Sequence, residues 1–249
     1  VSIVGSGNVA TQLGRALVKN GILVSHIASR NRDHAAILAD SLSAEVCNIS
    51  SLPIQFTIIC VSDDAIAEII SQMPEETPVV YTSGSVGLDE LPKRKEIGVL
   101  YPLQTMSKTS SVDMRSVPFL VESKNVLFQE AINDFAQKLS PHSHIVNSDQ
   151  RRQIHMAAVW INNFTNHVVY QAQKITEEQN LDYKLLLPLL KETLSKLDHQ
   201  SAFESQTGPA RRGDSKTIEK HLEAQSGTAK ELYQLLTESI KETYDNEEL

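Results

Sequence analysis

The sequence predicts an α/β protein, in which a doubly wound domain with a parallel sheet is followed by an all-α C-terminal domain. Short apolar segments alternate with amphipathic helical segments over residues 1–148, as in a parallel sheet covered on both faces. Glycine and proline then become rare. None of the ten glycines lies within 99–207, and Pro188 is the only proline within 143–208. Since these residues punctuate turns, we expect long helices over 149–249.

The individual elements follow from composition and periodicity. Short apolar or β-branched runs predict strands, and the run at 56–61 is of the fully buried type that parallel sheets need. The predicted strands are 1–4, 23–28, 56–61, 79–82, 98–101, 119–121 and 144–146. Apolar residues at helical spacing predict helices at 10–19, 33–42, 64–72, 126–139, 149–179, 183–197, 215–224 and 228–244. Residues 245–248 are expected to form a frayed acidic tail.

The longest predicted helix, 149–179, carries an apolar stripe. At 100° per residue the stripe contains Ala157, Trp160, Ile161, Phe164, Val168, Ala172 and Ile175. Such a stripe is expected to pack against other helices.

Composition and charge exclude several classes of protein. The net charge is −8, with 11 basic against 15 acidic residues in 1–148 and 12 against 16 in 149–249, and this even acidity argues against nucleic-acid binding. No stretch approaches the roughly 18 consecutive apolar residues of a transmembrane helix. No basic leader precedes an apolar run, so we expect a cytoplasmic protein. Cys47 and Cys60 are too few for a disulfide scaffold and are interpreted as small buried apolar residues. The eight histidines show no ligand spacing, so no metal is predicted.

The sharpest motif directly follows the first strand. Residues 5–10 read Gly-x-Gly-x-x-Ala between a predicted strand and a predicted helix. Gly5 permits a tight turn, Gly7 lets a pyrophosphate approach the backbone, and Ala10 allows close packing of helix on sheet. The alternative is that the glycines only mark an ordinary loop. The predicted pyrophosphate-binding residues are Gly5, Ser6, Gly7, Asn8 and Val9.

The residues after the second predicted strand indicate whether the site would bind NAD(H) or NADP(H). About 20 residues beyond the motif, where sites that prefer NAD place a carboxylate, the sequence has Ser29, Arg30 and Asn31, with no acid before Asp33. A hydroxyl, a guanidinium and an amide suit the 2′-phosphate of NADP(H), which a carboxylate would repel. The predicted cofactor is therefore NADP(H). The alternative is that Arg30 and Arg32 belong to a solvated loop.

Further candidate residues follow the later strands, because ligands of open parallel sheets bind beyond the carboxyl ends of the strands. The predicted residues at the nicotinamide end are Val61, Ser62, Asp63, Thr82 and Ser83. The alternative for 82–85 is an ordinary turn, and we expect Asp64 to cap the following helix. Pro102 keeps the segment before Gln104 extended, so this segment is expected to form a wall of the active site, with Gln104 as a substrate-binding residue.

The long helix supplies the candidate for acid–base chemistry. Asn162, Asn166 and Gln173 fall within about 20° of His155 on a helical wheel, with Asn163 on the flank. His155 is the candidate because the ordinary pKa of an imidazole lies near the operating pH. The alternative is that this polar line is simply the solvated face of the helix.

A loop at 207–214 is the last candidate. Arg211 and Arg212 lie between two glycines and would clamp an anionic substrate group. Asp214 is a candidate substrate-binding residue or, alternatively, the cap of the helix that begins at 215.

Several of these segments together resemble one family, the proteins that join a Rossmann-like domain to a DUF2520 domain and are regarded as NADP oxidoreductases. The similar segments are 5–10, 61–64, 82–84, 101–105, 155–159 with Asn163 and Phe164, and the more specific loop 207–214. The resemblance implies an NADP-binding domain and a helical domain similar to those of pyrroline-carboxylate reductases and 6-phosphogluconate-type dehydrogenases.

For the site, the resemblance implies a homodimer formed through the helical domain and an active site at the domain junction that includes His155, Asn163 and the loop Arg211–Asp214. The sequence also departs from related patterns. Tyr101 stands where this family often has histidine, and the long helix has no lysine before Lys174, so the Lys–Asn pair of the hydroxyacid dehydrogenases is missing.

The predicted function is hydride transfer between NADP(H) and a small polar substrate with a C=O, C=N, hydroxyl or amine group. A non-catalytic NADP(H)-binding sensor or scaffold is the alternative. A deazaflavin-dependent reductase would share the same domain plan.

Overall fold

The computed structural model describes residues 1–245. Of the predicted acidic tail only Asp245 lies within this range, where it ends the last helix, and the rest lies outside the described residues. The chain forms two compact units, Val1–Asn163 and Phe164–Leu249. None of the helices within residues 1–245 is long and apolar enough to span a bilayer.

The first unit is built on an eight-stranded sheet with the order β3-β2-β1-β4-β5-β6-β7-β8. Neighbouring strands are parallel except β6 and β7, which run antiparallel. The strands are β1 Ser2–Val4, β2 His26–Ala28, β3 Glu45–Val46, β4 Thr57–Ile59, β5 Val79–Tyr81, β6 Ile97–Pro102, β7 Phe119–Ser123 and β8 Ser143–Ile145.

All seven predicted strands are present, and two features of the sheet differ from the prediction. The sheet is not wholly parallel: β6 and β7 run antiparallel, and the connection at 103–118 contains a short 3₁₀ turn at Met114–Ser116 but not the α-helix that usually forms a parallel crossover. Strand β3 was not predicted. It has two exposed residues at the edge of the sheet, too few to show an alternating pattern.

The predicted helices are also present, with one division. The helices are α1 Asn8–Lys19, α2 Arg32–Leu42, α3 Ile66–Ser71, α4 Val126–Gln137, α5 Ser148–Ala158, α6 Thr165–Glu178, α7 Leu187–Lys196, α8 Ser215–Glu223 and α9 Gly227–Asp245. The long helix predicted at 149–179 is divided, because the segment Val159–Phe164 between α5 and α6 is π-helical. A π-helical turn changes the phase of the side chains, so a single wheel does not describe both helices.

The core of the first unit lies on both faces of the sheet. Ile3 and Ile58 belong to one buried cluster, and their strand neighbours Val4 and Ile59 belong to the other, as the two-residue period of a strand requires. Helices α1, α2 and α4 supply residues to the first cluster, and α3 supplies residues to the second. This is the doubly wound arrangement that the sequence predicts.

Helix α5 belongs to the first unit, whereas the predicted domain boundary lay before it, at 148/149. The fully buried guanidinium of Arg151 explains this grouping. It donates to Glu122 Oε2 on β7, with N–O distances of 3.1 and 2.9 Å, and to the carbonyl oxygens of Ser83 and Val86 after β5. These bonds hold α5 against the sheet.

The second unit is helical and buries few apolar side chains. Within residues 164–245, the buried hydrophobic residues are Ile218 and Tyr244. The predicted apolar stripe is only partly covered within the described residues: Trp160, Ile161, Phe164, Val168 and Ile175 are between 45% and 76% exposed.

Candidate active site

The turn after β1 has the geometry that the glycine motif predicts. Gly5 has a φ of +123°, and a Cβ built there would lie 2.1 Å from the carbonyl oxygen of Cys60. No side chain fits without displacing β4. The Gly5 N–H donates to the Ala28 carbonyl oxygen at 2.7 Å, which fixes the turn to the end of β2.

Gly7 contributes open space to the same turn. It precedes α1 with a φ of −83°, and a Cβ built there would have no atom within 4 Å, so it faces open space. No side chain caps α1, and its first turn has no acidic residue. The free N–H groups of this helix end therefore face a position where an anion would be stabilised.

A cleft of about 420 Å³ lies at this turn, where β1 has β2 on one side and β4 on the other. Ten of the thirteen predicted cofactor-binding residues line it, namely Gly5, Ser6, Gly7, Asn8, Val9, Ser29, Arg30, Val61, Ser62 and Thr82. Ile49 and Ile69 add apolar surface that the sequence analysis did not identify. The carboxyl ends of β1, β2, β4 and β5 all contribute, as the strand order requires.

The segment after β2 leaves one arginine available for a ligand. Ser29 Oγ lies 2.9 Å from Ser6 Oγ, and Arg30 is exposed and makes no hydrogen bond or ion pair with any residue in 1–245. Arg32 instead donates to Asn48 Oδ1 at 3.0 Å. Asn31 Oδ1 accepts from the His34 N–H and caps α2, so its oxygen is already engaged, and Asn31 does not line the cleft.

Asp63 and Ser83 also lie outside the lining of this cleft and instead hold the turn after β5. Asp63 Oδ2 accepts from the Ser85 hydroxyl. Ser83 Oγ accepts from the backbone N–H groups of Ser85 and Val86, both at 3.1 Å. The prediction that Asp64 caps a helix is wrong, because a 3₁₀ turn at Asp63–Ala65 places Asp64 inside the first turn, without a capping bond.

A second pocket, of about 540 Å³, lies in the first unit beside α5. Residues that follow or end β6 form one side, and α5 with the π-helical segment forms the other. The pocket brings together the predicted residues Gln104, His155 and Asn163, and it also contains Asn162. Its remaining lining is Tyr101, Leu103, Thr105, Ile154, Ala157, Ala158, Val159 and Ile161. Tyr101 and His155 are the only titratable residues among these.

Three features of this region were missed by the sequence analysis. Tyr101 Oη lies 3.0 Å from His155 Nδ1, and burial raises the pKa of the Tyr101 hydroxyl. Gly84 provides the space for this pair. The buried pair of Arg151 and Glu122 joins α5 to the sheet. None of these contacts has a sequence signal, since each joins residues far apart in the chain.

The interpretation of the two cysteines as small buried residues is confirmed for Cys60 and only in part for Cys47. Cys60 is buried below the glycine turn, and burial raises the pKa of its thiol to about 12, so the thiol stays protonated and unreactive. Cys47 is only partly buried.

The predicted loop at 207–214 belongs to the second unit. Asp214 caps α8, because its carboxylate accepts from the Thr217 N–H at 3.1 Å and from the Thr217 hydroxyl at 2.7 Å. These bonds lower the pKa of Asp214. The Arg211 guanidinium lies 4.3 Å from the ring centroid of Tyr244, and Arg212 is exposed. For Asp214, therefore, the geometry shows a helix cap, which the sequence analysis gave as the alternative to substrate binding.

The fold and the glycine turn define the class: a Rossmann-type dinucleotide-binding α/β protein with a helical C-terminal region. Residues 117–240 match the model of the family described as "Domain of unknown function (DUF2520)". A structure described as a "putative NADP oxidoreductase" from Bacteroides fragilis is 33% identical, with a TM-score of 0.87 and 97% of each chain covered. The chain belongs to the DUF2520 family.

More distant structures share the fold alone. A protein from Thermotoga maritima is 20% identical, with a TM-score of 0.76, and the match covers 100% of this chain and 99% of that one. An imine reductase from Myxococcus stipitatus, in complex with NADP⁺, is 13% identical, with a TM-score of 0.68 and coverages of 98% and 94%. A search of curated proteins gave no match.

Proposed function

We propose that this protein is an NADP(H)-dependent oxidoreductase that transfers a hydride between the cofactor and a small polar substrate with a C=O, C=N, hydroxyl or amine group. The observation that carries the proposal is the cleft at the turn after β1, with Arg30 as a cation without a partner in residues 1–245. The description of the Bacteroides fragilis relative supports it.

The residues of the cleft fit the cofactor. The backbone at Gly5, Ser6, Gly7, Asn8 and Val9 would hold the pyrophosphate, because the helix N-terminus offers free N–H groups and Gly7 leaves room. Ser29 and Arg30 would bind the 2′-phosphate, with Asn31 ordering the start of α2 beside them. Val61, Ser62 and Thr82 would border the nicotinamide, and Asp63 and Ser83 would keep the neighbouring turn in place. The bound nicotinamide would supply or accept the hydride.

The pocket beside α5 is the proposed substrate site. His155 would orient the polar group of the substrate or hold a proton, and Asn163 and Gln104 would donate hydrogen bonds to it. The roles of Arg211, Arg212 and Asp214 in binding substrate, and a site at the domain junction, remain part of this proposal. For Asp214 such a role would have to coexist with its capping bonds.

We also propose a homodimer formed through the helical unit. The observation in its favour is the exposed apolar surface of this unit, which includes Leu185, Leu189 and Leu235, each at least 64% exposed. Monomeric proteins rarely leave so many apolar side chains uncovered, so a second copy is the proposed cover.

Calorimetry with NADPH and NADH tests the cofactor. Arg30→Ala should weaken NADPH binding by about ten- to a hundredfold, because a charge-assisted contact to phosphate is lost, and should leave NADH binding nearly unchanged. Arg32→Ala is the matched control: this arginine is close in sequence but already bonded to Asn48, so both affinities should stay near those of the wild type. Equal weakening by both variants, or no binding of either nucleotide by the wild type, would overturn the proposal.

Two observations keep the sensor or scaffold alternative open. The pocket lining contains no lysine, arginine or carboxylate, and the chain lacks the lysine that related dehydrogenases place in this helix. Oxidation of NADPH with a panel of small imines and keto acids separates the two functions. NADPH binding without turnover of any panel member would favour the sensor.

A further inference from the structure

We propose that Tyr101 is a positioning residue for His155: its hydroxyl donates a hydrogen bond to Nδ1 and thereby leaves the Nε2–H of the neutral imidazole as the donor that faces the substrate. This inference rests on the proposed function of the pocket beside α5. It deepens that proposal by naming the atom that would contact the substrate and the residue that sets its protonation.

The geometry of the pair is that of a hydrogen bond between two oriented rings. Tyr101 Oη and His155 Nδ1 are 3.0 Å apart, and the ring centroids are 5.8 Å apart in an edge-to-face arrangement with an interplanar angle of 72°. Tyr101 lies on β6 and His155 on α5, so the contact joins two different elements of the first unit. His155 Nε2 has no hydrogen-bond partner within residues 1–245.

The direction of the bond follows from the chemistry of the two groups. Burial raises the pKa of the Tyr101 hydroxyl, so Tyr101 keeps its proton across the physiological range. The charged groups that act on this hydroxyl are Arg151, which favours ionisation, and Asp63, which opposes it. The turn at Gly84 and the amides Asn162 and Asn163 bring no further charge. A protonated phenol is the stronger donor and a neutral imidazole nitrogen the stronger acceptor, so the proton lies between Oη and Nδ1.

Gly84 shows that the fold makes room for this pair. A Cβ at Gly84 would lie 2.6 Å from His155 Nδ1 and 2.9 Å from Tyr101 Cζ. Both distances are below ordinary contact, so any larger residue would separate the two rings or displace them. The turn after β5 also contributes Thr82 to the cofactor cleft, which places the His155–Tyr101 pair next to the segment proposed to border the nicotinamide.

The consequence is a preset hydrogen-bond donor in a pocket without charged side chains. Nε2–H would donate to the carbonyl oxygen or imine nitrogen of the substrate, and this polarises the bond that receives the hydride. If the other tautomer formed, Nε2 would be an acceptor and would repel the lone pair of the same atom. Fixing the tautomer is therefore the role that the structure gives to Tyr101.

Long-range ¹H–¹⁵N spectra of the imidazole nitrogens test this without substrate or cofactor. They are recorded at about pH 8.5, about two units above the ordinary pKa of a free imidazole, and His155→Gln and His221→Gln assign the signals. The chain provides a matched control pair, because His221 Nδ1 lies 2.8 Å from Tyr233 Oη with ring centroids 5.7 Å apart at 82°. Tyr101→Phe and Tyr233→Phe each remove one hydroxyl from one pair.

The expected wild-type spectrum shows His155 with its proton on Nε2 and a hydrogen-bonded, unprotonated Nδ1. Tyr101→Phe should shift the Nδ1 signal of His155 towards that of a free unprotonated nitrogen, and Tyr233→Phe should leave His155 unchanged. A wild-type spectrum with the proton on Nδ1, or an unaltered His155 in Tyr101→Phe, overturns the inference. If Tyr101→Phe does not fold, the wild-type spectrum decides: an unprotonated Nδ1 with the shift of a hydrogen-bonded nitrogen supports the inference, and one with the shift of a free nitrogen overturns it. NADPH calorimetry on the same samples reports separately on the proposed function, and its failure would leave the tautomer result intact.

Discussion

The two units of the chain treat their apolar side chains in opposite ways. In the first unit, helices cover both faces of the sheet, and Leu13 and Leu17 of α1 are fully buried. In the second unit, Leu185 and Leu189 are 65% and 66% exposed, although their sequence spacing is as helical as that of α1. Periodicity alone therefore tells which face of a helix is apolar, but it does not tell what covers that face.

This difference in the burial of apolar side chains indicates which contacts stabilise each unit. The first unit closes its own core, so its stability is expected to be independent of concentration. In the second unit several contacts gather on the buried Tyr244: Phe203 stacks on its ring at 4.6 Å, Arg211 lies over the same ring, and the Tyr244 hydroxyl donates to the Phe203 carbonyl oxygen. A unit with so small a core is expected to gain much of its stability from a further surface, which in our proposal is a second copy of the chain.

The largest expected effect comes from breaking the most buried ionic contact of the first unit. Arg151→Met leaves the Glu122 carboxylate, only 10% exposed, without its cationic partner. An uncompensated buried charge costs about 3 to 5 kcal/mol, so the free energy of unfolding of the first unit should fall by that amount. Urea denaturation followed by circular dichroism measures it.

The control for Arg151→Met is an ion pair that is exposed on both sides. Lys124 and Asp89 pair in the same unit with side chains 65% and 84% exposed, so Lys124→Met should leave the unfolding midpoint nearly unchanged. If both variants unfolded at the wild-type midpoint, the buried pair would not be what holds α5 to the sheet.

The next prediction compares the truncation of one leucine in each unit. Leu13→Ala should lower the free energy of unfolding by about 2 to 5 kcal/mol at any protein concentration, because it leaves a cavity in a closed core. Leu185→Ala removes an exposed side chain and should have little effect at high dilution. Where dimers form, it should lower the melting temperature and weaken association. Calorimetric melting over a range of concentrations and sedimentation velocity measure both effects. A wild type that stays monomeric and a Leu185→Ala variant that is neutral throughout would contradict the proposed dimer.

The elements that the sequence predicts well are those governed by local physics. The turn at residues 5–10 is an example, because the positive φ of Gly5 and the open space at Gly7 are requirements of one short segment. The strand cores follow for the same reason, since alternation along a strand assigns Ile3 and Val4 to opposite faces. Ten of the predicted cofactor-binding residues line one cleft because parallel strands end at the same edge.

The features that escaped prediction depend on contacts between distant residues. In the sequence, Arg151 is one more polar residue of a helix. In the structure it is the largest fully buried side chain, and its guanidinium donates to Glu122 and to two carbonyl oxygens. Tyr101 was given no role because it stands where the similar family often has histidine, and its neighbours in the chain do not indicate a contact with His155. Residue type alone also does not show which side chains the backbone engages: Asp214, for which a ligand and a cap were both open, caps α8, and Asn31, predicted only as a ligand, caps α2.

The substitution Gly7→Ala should have a smaller effect on stability, and it tests ligand binding by the first unit separately from stability. Gly7→Ala meets no atom within 4 Å and needs no unusual backbone angle, so the free energy of unfolding should change by less than about 1 kcal/mol. The new methyl group projects to where the pyrophosphate would lie, so NADPH binding should weaken at least about tenfold. Thermal melting and calorimetry on the same sample measure the two quantities. Unchanged affinity would mean that the nucleotide does not approach this turn.

The smallest effect is local to the second unit and depends on pH. The bonds from Thr217 lower the pKa of Asp214, so its carboxylate stabilises α8 above the ordinary carboxyl pKa, and this stabilisation is lost as the pH falls through the lowered value. Asp214→Asn keeps the capping geometry without a titrating group, so it should melt like the wild type at neutral pH and lose this part of the acid dependence. Asp214→Ala should melt earlier at neutral pH, because the two bonds to Thr217 are gone. Circular dichroism melting from acid to neutral pH measures all three proteins. Should Asp214→Asn retain the full acid dependence, another carboxylate must titrate in its place, and the cap would then contribute less to the helical unit than its two bonds indicate.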